Sequence, residues 1–226
     1  MGAPRVLDCE GAVAAAAGDV NGDGVEEIAV AACTVWQGKR HCDLRATRVV
    51  AESSWIYWGS PAGFSKASRT AFPTTNARDV ELADLSGDGC RDVLVCQGGT
   101  ETSNTTECLI YQGGKGGLSP KPIRFASHDA CGFYAARSGP GSKLQAVLVN
   151  HVSGKKRGDV SAAIYLGGPD GYRPERRIEL PGWSATDGLI ADFNDDGFAD
   201  VLLCNCAENA PWLDPGSFLY WNGAGG

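Results

Sequence analysis

Short apolar runs punctuate the chain at near-regular intervals. Ile28-Ala29-Val30, Val93-Leu94-Val95, Val147-Leu148-Val149 and Val201-Leu202-Leu203 are strand-forming triplets between polar loops. A second set of segments reads WIYWGSPAGF, CLIYQGGKGGL, AIYLGGPDGY and LYWNGAGG. Its tyrosines, Tyr57, Tyr111, Tyr165 and Tyr220, lie 54, 54 and 55 residues apart. A third set, at 4–9, 68–72, 121–125 and 176–180, precedes each unit, and the small-sided segment 12–17 suits a strand packed near an axis. Four units of four short strands predict an all-β chain. A period near 50 with four strands per unit predicts a β-propeller of four four-stranded blades. The expected order within a blade is an inner strand, the Val-rich strand, the Tyr strand, and an outer strand after a Gly-containing turn. The blades fall at about residues 11–72, 76–126, 130–180 and 184–226 of a single domain spanning 1–226.

The phase of the ends adds a prediction. Residues 3–9 read as an outer strand, and the last unit stops after a Tyr strand. The N-terminal strand is therefore expected to close the last blade, which would tie a ring shut and leave no open edge. Closure within one chain gives a four-bladed monomer; closure between two chains gives an eight-bladed head-to-tail homodimer.

Between the first and second strands, three units carry the same loop. It reads DVNGDGVEE from Asp19, DLSGDGCRD from Asp84 and DFNDDGFAD from Asp192. Oxygen-bearing side chains stand at positions 1, 3, 5 and 9, with Gly at position 6 (Gly24, Gly89, Gly197). Carboxylates converging this tightly repel one another unless a cation sits between them, so the pattern predicts calcium. An EF-hand would need Glu at position 12 and flanking helices; position 12 is Val30, Val95 and Leu203, inside strand-like runs. The plainer alternative is a set of metal-free Asp-rich turns. The third unit departs, with Ser138, Pro140, Ser142 and Ala146 at the ligand positions, and is expected to be metal-free.

These loops, each followed by a hydrophobic strand and then by a Y-x-G-x-x-G-[FYL] strand and turn, resemble the FG-GAP/VCBS repeat family. Its members include the calcium-binding propellers of integrin α-subunits. The resemblance covers essentially the whole chain and implies three Ca2+ sites. By motif the first is Asp19, Asn21, Asp23, the Val25 carbonyl and Glu27. The second is Asp84, Ser86, Asp88, the Cys90 carbonyl and Asp92. The third is Asp192, Asn194, Asp196, the Phe198 carbonyl and Asp200. Glu27, where Asp is usual, and the neutral Ser86 depart from the family pattern. Each ligand set comes from one continuous segment, so the implied role is structural.

A net charge of -7 argues against nucleic acid as a partner. No apolar stretch is long enough to span a membrane, and no signal peptide is evident. Nine cysteines are many for a reduced compartment. Cys33 with Cys42 and Cys96 with Cys108 are placed to close short hairpins as disulfides, which favours a secreted or extracytoplasmic setting. The alternative is that they serve as small core residues. Asn104-Thr105-Thr106 is a glycosylation sequon if the chain is secreted.

No nucleophile, zinc-protease or phosphate-loop motif appears. The histidines are His41, His128 and His151, and His128-Asp129 is the one candidate acid–base pair. The hairpins between second and third strands vary most and are the expected working surface. They carry Trp36 and Trp212, which suit stacking on a sugar or peptide, or simple packing under long loops. Arg157-Gly158-Asp159, a tripeptide some integrins recognise, reads chiefly as a tight turn beside the basic Lys155-Lys156. The leading reading is a calcium-stabilised binding module for a glycan or protein ligand. Its rival is an enzyme with a His/Asp pair at the axis or the hairpin face; no catalytic residue is assigned.

Overall fold

A computed structural model describes residues 6–37, 47–100, 103–139, 141–142, 144–153, 156–168, 171–206 and 215–224. Among them the secondary structure is strand, with no helix. Sheet I contains β1 (Ala12–Gly18), β2 (Glu27–Ala32), then, past a hairpin of β3 (Thr34–Gln37) and β4 (Thr47–Val50), β5 (Ser53–Tyr57) and β6 (Arg69–Pro73). Sheet II is β7 (Ala77–Ala83), β8 (Asp92–Gln97), β9 (Thr105–Tyr111) and β10 (Ile123–His128). Sheet III is β11 (Gly132–Arg137), β12 (Leu144–Val149), β15 (Ala162–Leu166) and β16 (Arg177–Leu180), with the hairpin β13 (Val152–Ser153) and β14 (Lys156–Arg157) inserted. Sheet IV has three strands, β17 (Asp187–Ala191), β18 (Asp200–Cys204) and β19 (Phe218–Tyr220).

Each sheet is an antiparallel meander, its strands neighbouring one another in chain order apart from the inserted hairpins. Register repeats as well. Trp55 faces Ala71, Leu109 faces Arg124 and Ala163 faces Glu179, each two residues before the repeated tyrosine. The Val-rich second strands are buried on both faces, which is why they read as continuous apolar runs rather than as alternating ones.

The sheets pack face to face in chain order, with β7 against β1, β11 against β7 and β17 against β11. Ala29, Ala31, Ile56 and Phe72 of sheet I meet Val80, Val93, Val95, Leu109 and Tyr111 of sheet II. Leu94, Cys96, Cys108, Ile110 and Phe125 meet Phe133, Ala146, Leu148 and Tyr165 of sheet III. Val147, Val149 and Ala162 then meet Val201, Leu203 and Tyr220 of sheet IV. The repeated tyrosine anchors each crossing on the outer strand of the sheet before it. Tyr111 packs edge-on to Phe72 at 5.3 Å, and its hydroxyl donates to the Pro73 carbonyl. Tyr165 packs on Phe125 at 4.5 Å, and the Tyr220 hydroxyl donates to the Pro181 carbonyl.

The N-terminal segment departs from expectation. Val6–Cys9 is not in a strand, and among the described residues nothing pairs with the outer edge of β19. The segment lies against its own sheet I instead. The Asp8 carbonyl accepts from the Tyr57 hydroxyl (2.7 Å) and from Arg69, and its carboxylate pairs with Lys66. No packing comparable to the other crossings joins β17 to β1 among the described residues.

Phe125 sits at 0% exposure between sheets II and III. Phe125→Ala is expected to lower unfolding free energy by about 3–5 kcal/mol, from lost burial and the cavity left behind. Tyr111→Phe, which removes only the hydroxyl, should cost about 1 kcal/mol. Urea titration of the two variants beside the parent checks both.

Candidate metal loops

The three acidic loops share one wiring pattern. The position-1 carboxylate curls back over its own loop and accepts backbone amides. Asp19 Oδ2 takes Gly24 N (2.8 Å), Asp84 Oδ2 takes Gly89 N (3.0 Å) and Asp192 Oδ2 takes Gly197 N (2.7 Å). The Oδ1 atoms take the position-5 amides of Asp23, Asp88 and Asp196 at 3.1–3.2 Å. The position-5 carboxylates in turn accept the amides of Val25, Cys90 and Phe198. Asn21 and Asn194 each bridge to the position-5 Asp through both amide atoms. The Gly24 amide, ahead of the others, holds the Asp19 carboxyl below the usual range. Gly24, Gly89 and Gly197 take φ of 85–91°, which only glycine adopts without strain. At position 4, Gly22 and Gly87 are also left-handed; in the last loop Asp195 occupies that conformation at φ 58°.

Position 9 behaves differently. Glu27, Asp92 and Asp200 are buried at the start of the second strand. Each staples the loop to the sheet by accepting the position-2 amide, from Val20 (2.7 Å), Leu85 (3.0 Å) and Phe193 (3.1 Å). Asp92 and Asp200 reach further, to the amides of Gly113 (2.9 Å) and Asn222 (2.8 Å) in the turn after the Tyr strand. One carboxylate therefore ties three strands together at one rim. Burial pushes the Glu27 and Asp92 carboxyls above their usual values.

Among the described residues no three His, Cys, Asp or Glu side chains converge in a metal-holding cluster. The loop carboxylates are turned to backbone amides. The donor set is nevertheless all oxygen, the kind a hard cation takes, although Asp19 Oδ1, Asp84 Oδ1 and Asp92 Oδ2 each already accept two amides. Glu27 Oε1 is buried with no hydrogen-bond partner, an orphan acceptor that a cation would satisfy. The third unit lacks all of this. Its loop between β11 and β12 spans 138–143, against 84–91 in sheet II, and Ala146 replaces the buried carboxylate. Ser142 closes this shorter turn by bonding Gly139.

The opposite rim carries the hairpins. Trp36 lies on β3, while Trp212 and His41 fall outside the described residues. His128 and Asp129 do not pair through Nδ1. The Asp129 carboxylate is engaged by Arg78 (2.9 Å) and the Gly99 amide (2.5 Å), and His128 Nδ1 is buried without a partner. His128 lines a polar cleft of about 310 Å³ with Asn150, Asp159, Tyr165, Arg177 and Glu179. His151 is structural: buried, its Nδ1 is 3.0 Å from the Ser184 carbonyl oxygen. Gly158, at φ 111°, makes Arg157-Gly158-Asp159 a turn, and its amide donates to Ser184 Oγ (2.6 Å).

The expected Cys96–Cys108 disulfide is absent. The two thiols face each other across β8 and β9, free and fully buried within the core between sheets II and III, and burial pushes the Cys96 thiol up. Cys33 donates to Asn76 Oδ1 (2.8 Å); Cys42, its expected partner, lies outside the described residues. Sequence reasoning missed a set of amide staples near the ends of second strands. Gln97, Asn150 and Asn205 each accept a backbone amide from the incoming connection, at Thr75, His128 and Trp183. Each then donates across to a carbonyl before or at the start of the third strand, at Glu107, Ser161 and Gly216. A side-chain amide within two residues of three of the four apolar triplets was the available signal.

The inner strand β7 carries two half-buried acids. Glu81 on β7 accepts the Ala135 amide (3.2 Å), and burial pushes its carboxyl up to about 7. Asp79 is raised for the same reason, and Tyr134 donates to Asp187 Oδ1 (2.5 Å). Among the described residues no helix is long and apolar enough to cross a membrane. No protein-family model matches the chain, and no curated protein matches it in sequence.

Asp92→Ala strands the amides of Leu85, Ser86 and Gly113. It is expected to cost roughly 2–4 kcal/mol even in chelator, whereas Asp88→Ala in chelator should cost under about 1 kcal/mol. Denaturant melts in excess chelator compare the two. For Glu81, the folded pKa lies above the unfolded one, so its contribution is present at acid pH and lost as pH rises through about 7. Glu81→Gln should flatten the fall in melting temperature between about pH 5 and 8 and exceed the parent at the alkaline end.

Proposed function

We propose that the four sheets form a calcium-stabilised β-propeller of the FG-GAP/VCBS type. It serves as a binding module for a glycan or protein ligand, in a secreted or extracytoplasmic setting. The observation that carries the metal reading is the shared wiring of the three acidic loops, together with its loss in sheet III alongside the carboxylates. Calcium would be held by Asp19, Asn21, Asp23, Glu27 and the Val25 carbonyl, and by the matching groups of the loops at 84–92 and 192–200. It would relieve the repulsion among the loop acids and supply a partner for Glu27 Oε1.

Ligand recognition is assigned to the opposite rim, where β3 and β4 extend a hairpin bearing Trp36, and to Trp212, which falls between β18 and β19 in sequence and outside the described residues. Antiparallel connectivity puts both connections at the far ends of the strands from the metal loops, so metal and ligand do not compete for surface. The enzyme reading has one favouring observation, the polar cleft with the partnerless Nδ1 of His128. It lacks the acid partner first expected, because Asp129 is held by Arg78.

Calorimetry with calcium is expected to give three sites, falling to two in Asp196→Ala, with no site in sheet III. Absence of calcium binding would refute the metal reading. A glycan or protein array should detect binding that Trp36→Ala or Trp212→Ala reduces at least tenfold without changing the melt. Binding that survives both substitutions but is lost in His128→Ala would shift the site to the cleft.

A further inference from the structure

We propose that the polar cleft between the outer strands of sheets II and III binds a free α-amino acid as its zwitterion. The inference goes beyond the hairpin-rim reading. It depends neither on how the sheets close nor on a bound metal.

The cleft holds about 310 Å³ between the end of β10 and strands β15 and β16. That is the lower end of ligand-pocket size, roughly 300–1,000 Å³, so a molecule of one-residue size suits it. One wall carries opposite charges side by side. Arg177 and Glu179 lie two residues apart on β16, on the same face of the strand, and are joined Nη2 to Oε1 at 2.7 Å. Arg177 also donates to the Tyr165 hydroxyl, as Arg69 does to Tyr57 (3.0 Å) in sheet I. Glu179 Oε2 and further N–H groups of the guanidinium remain to meet a ligand. Both side chains are part-exposed, at 38% and 58%, and a surface pair of this kind adds little stability by itself. A zwitterion is its complement. The ligand carboxylate meets the guanidinium and the ammonium meets the carboxylate, in charge-assisted hydrogen bonds.

His128 faces this pair from β10. Its backbone amide is fixed by Asn150 Oδ1 (2.8 Å), which holds the residue against the cleft. Nδ1 is buried with no partner, so the ring meets an occupant through Nε2, which can donate to the ligand carboxylate. Ala126, Val160 and Ala163 line the remainder and give the ligand side chain a small apolar seat. Tyr165, the aromatic residue in the lining, is 1% exposed, so it offers no open ring face for stacking on a sugar.

The crossing of sheets I and II supplies an internal comparison. Its cleft, about 350 Å³, also holds an ion pair, Arg124 with Glu107 at 2.6 Å. Register places Thr75 there where His128 stands, and Leu109 where Ala163 stands. The charge pair recurs and the imidazole does not. The frame is therefore common to both crossings, and the site is assigned to the one that adds His128.

Calorimetry of the intact protein with L-alanine and L-valine should show one site per chain. N-acetylvaline and valine amide, each lacking one charge, should bind at least tenfold more weakly. Arg177→Gln and Glu179→Gln should each cause a loss of at least tenfold. His128→Thr and Ala163→Leu install residues that the neighbouring crossing already holds, so the melt should stay unchanged while binding falls at least tenfold. As a readout that needs no variant, the imidazole nitrogen resonances of His128 should shift on titration with L-valine. No binding of either amino acid at millimolar concentration would overturn the proposal. So would equal binding of the neutralised derivatives, two sites per chain, or binding that leaves His128 unshifted. Trp36→Ala should not alter amino-acid binding; a loss there would place the ligand at the hairpin rim and overturn the cleft assignment alone.

Discussion

The loop rim depends on a carboxylate buried where each acidic loop runs into its second strand. Glu27, Asp92 and Asp200 sit at 0–1% exposure and accept amides from their own loop; Asp92 and Asp200 also hold the turn after the Tyr strand. An ionised side chain is buried at such a site only when amides or a cation answer its charge. Here the amides do so in part. These amide bonds by themselves hold each loop in shape. Glu27 is one carbon longer: it takes the Val20 amide, and the Gly59 backbone also favours its charged form without closing a hydrogen bond to Oε1.

Sheet III is the internal control. Ala146 takes the buried position, the loop shortens, and Ser142 rather than a carboxylate closes the turn. The sheet still pairs as an antiparallel meander, with Tyr165 opposite Ala146 where the other sheets set the tyrosine opposite the first residue of the apolar triplet, and it still buries Val147, Leu148 and Val149. The crossings, with their repeated tyrosine on the preceding outer strand, thus form without the buried carboxylate. The carboxylates instead decide how the loop rim is held. This division explains how one unit can lose its acidic set while the stack persists.

Much of this was legible in the residues. Apolar triplets and spaced tyrosines gave the four sheets and their order, because burial on both faces and fixed register leave periodic marks. The three loops were equally clear, since φ near 90° at position 6 demands glycine. What escaped was tertiary. Residues 3–9 have an outer-strand pattern, but whether such a strand pairs depends on which edge lies within reach, and Asp8 is instead held by Tyr57, Arg69 and Lys66. Cys96 and Cys108 do face each other, but as free thiols in a dry core. Spacing identifies opposing cysteines without reporting their oxidation. The His128-Asp129 dipeptide misled because adjacent side chains diverge at a turn, with Asp129 at φ 46° pointing to Arg78.

The most direct test of the central claim is amide hydrogen exchange at the position-6 glycines, followed with and without calcium. The account predicts measurable protection of Gly24, Gly89 and Gly197 in chelator, because each amide already bonds a carboxylate, and at least tenfold slower exchange in calcium. The sheet III turn at Gly139 and Ser142 should not respond to calcium. Equal slowing in all four loops, or no slowing in the three acidic ones, would contradict it.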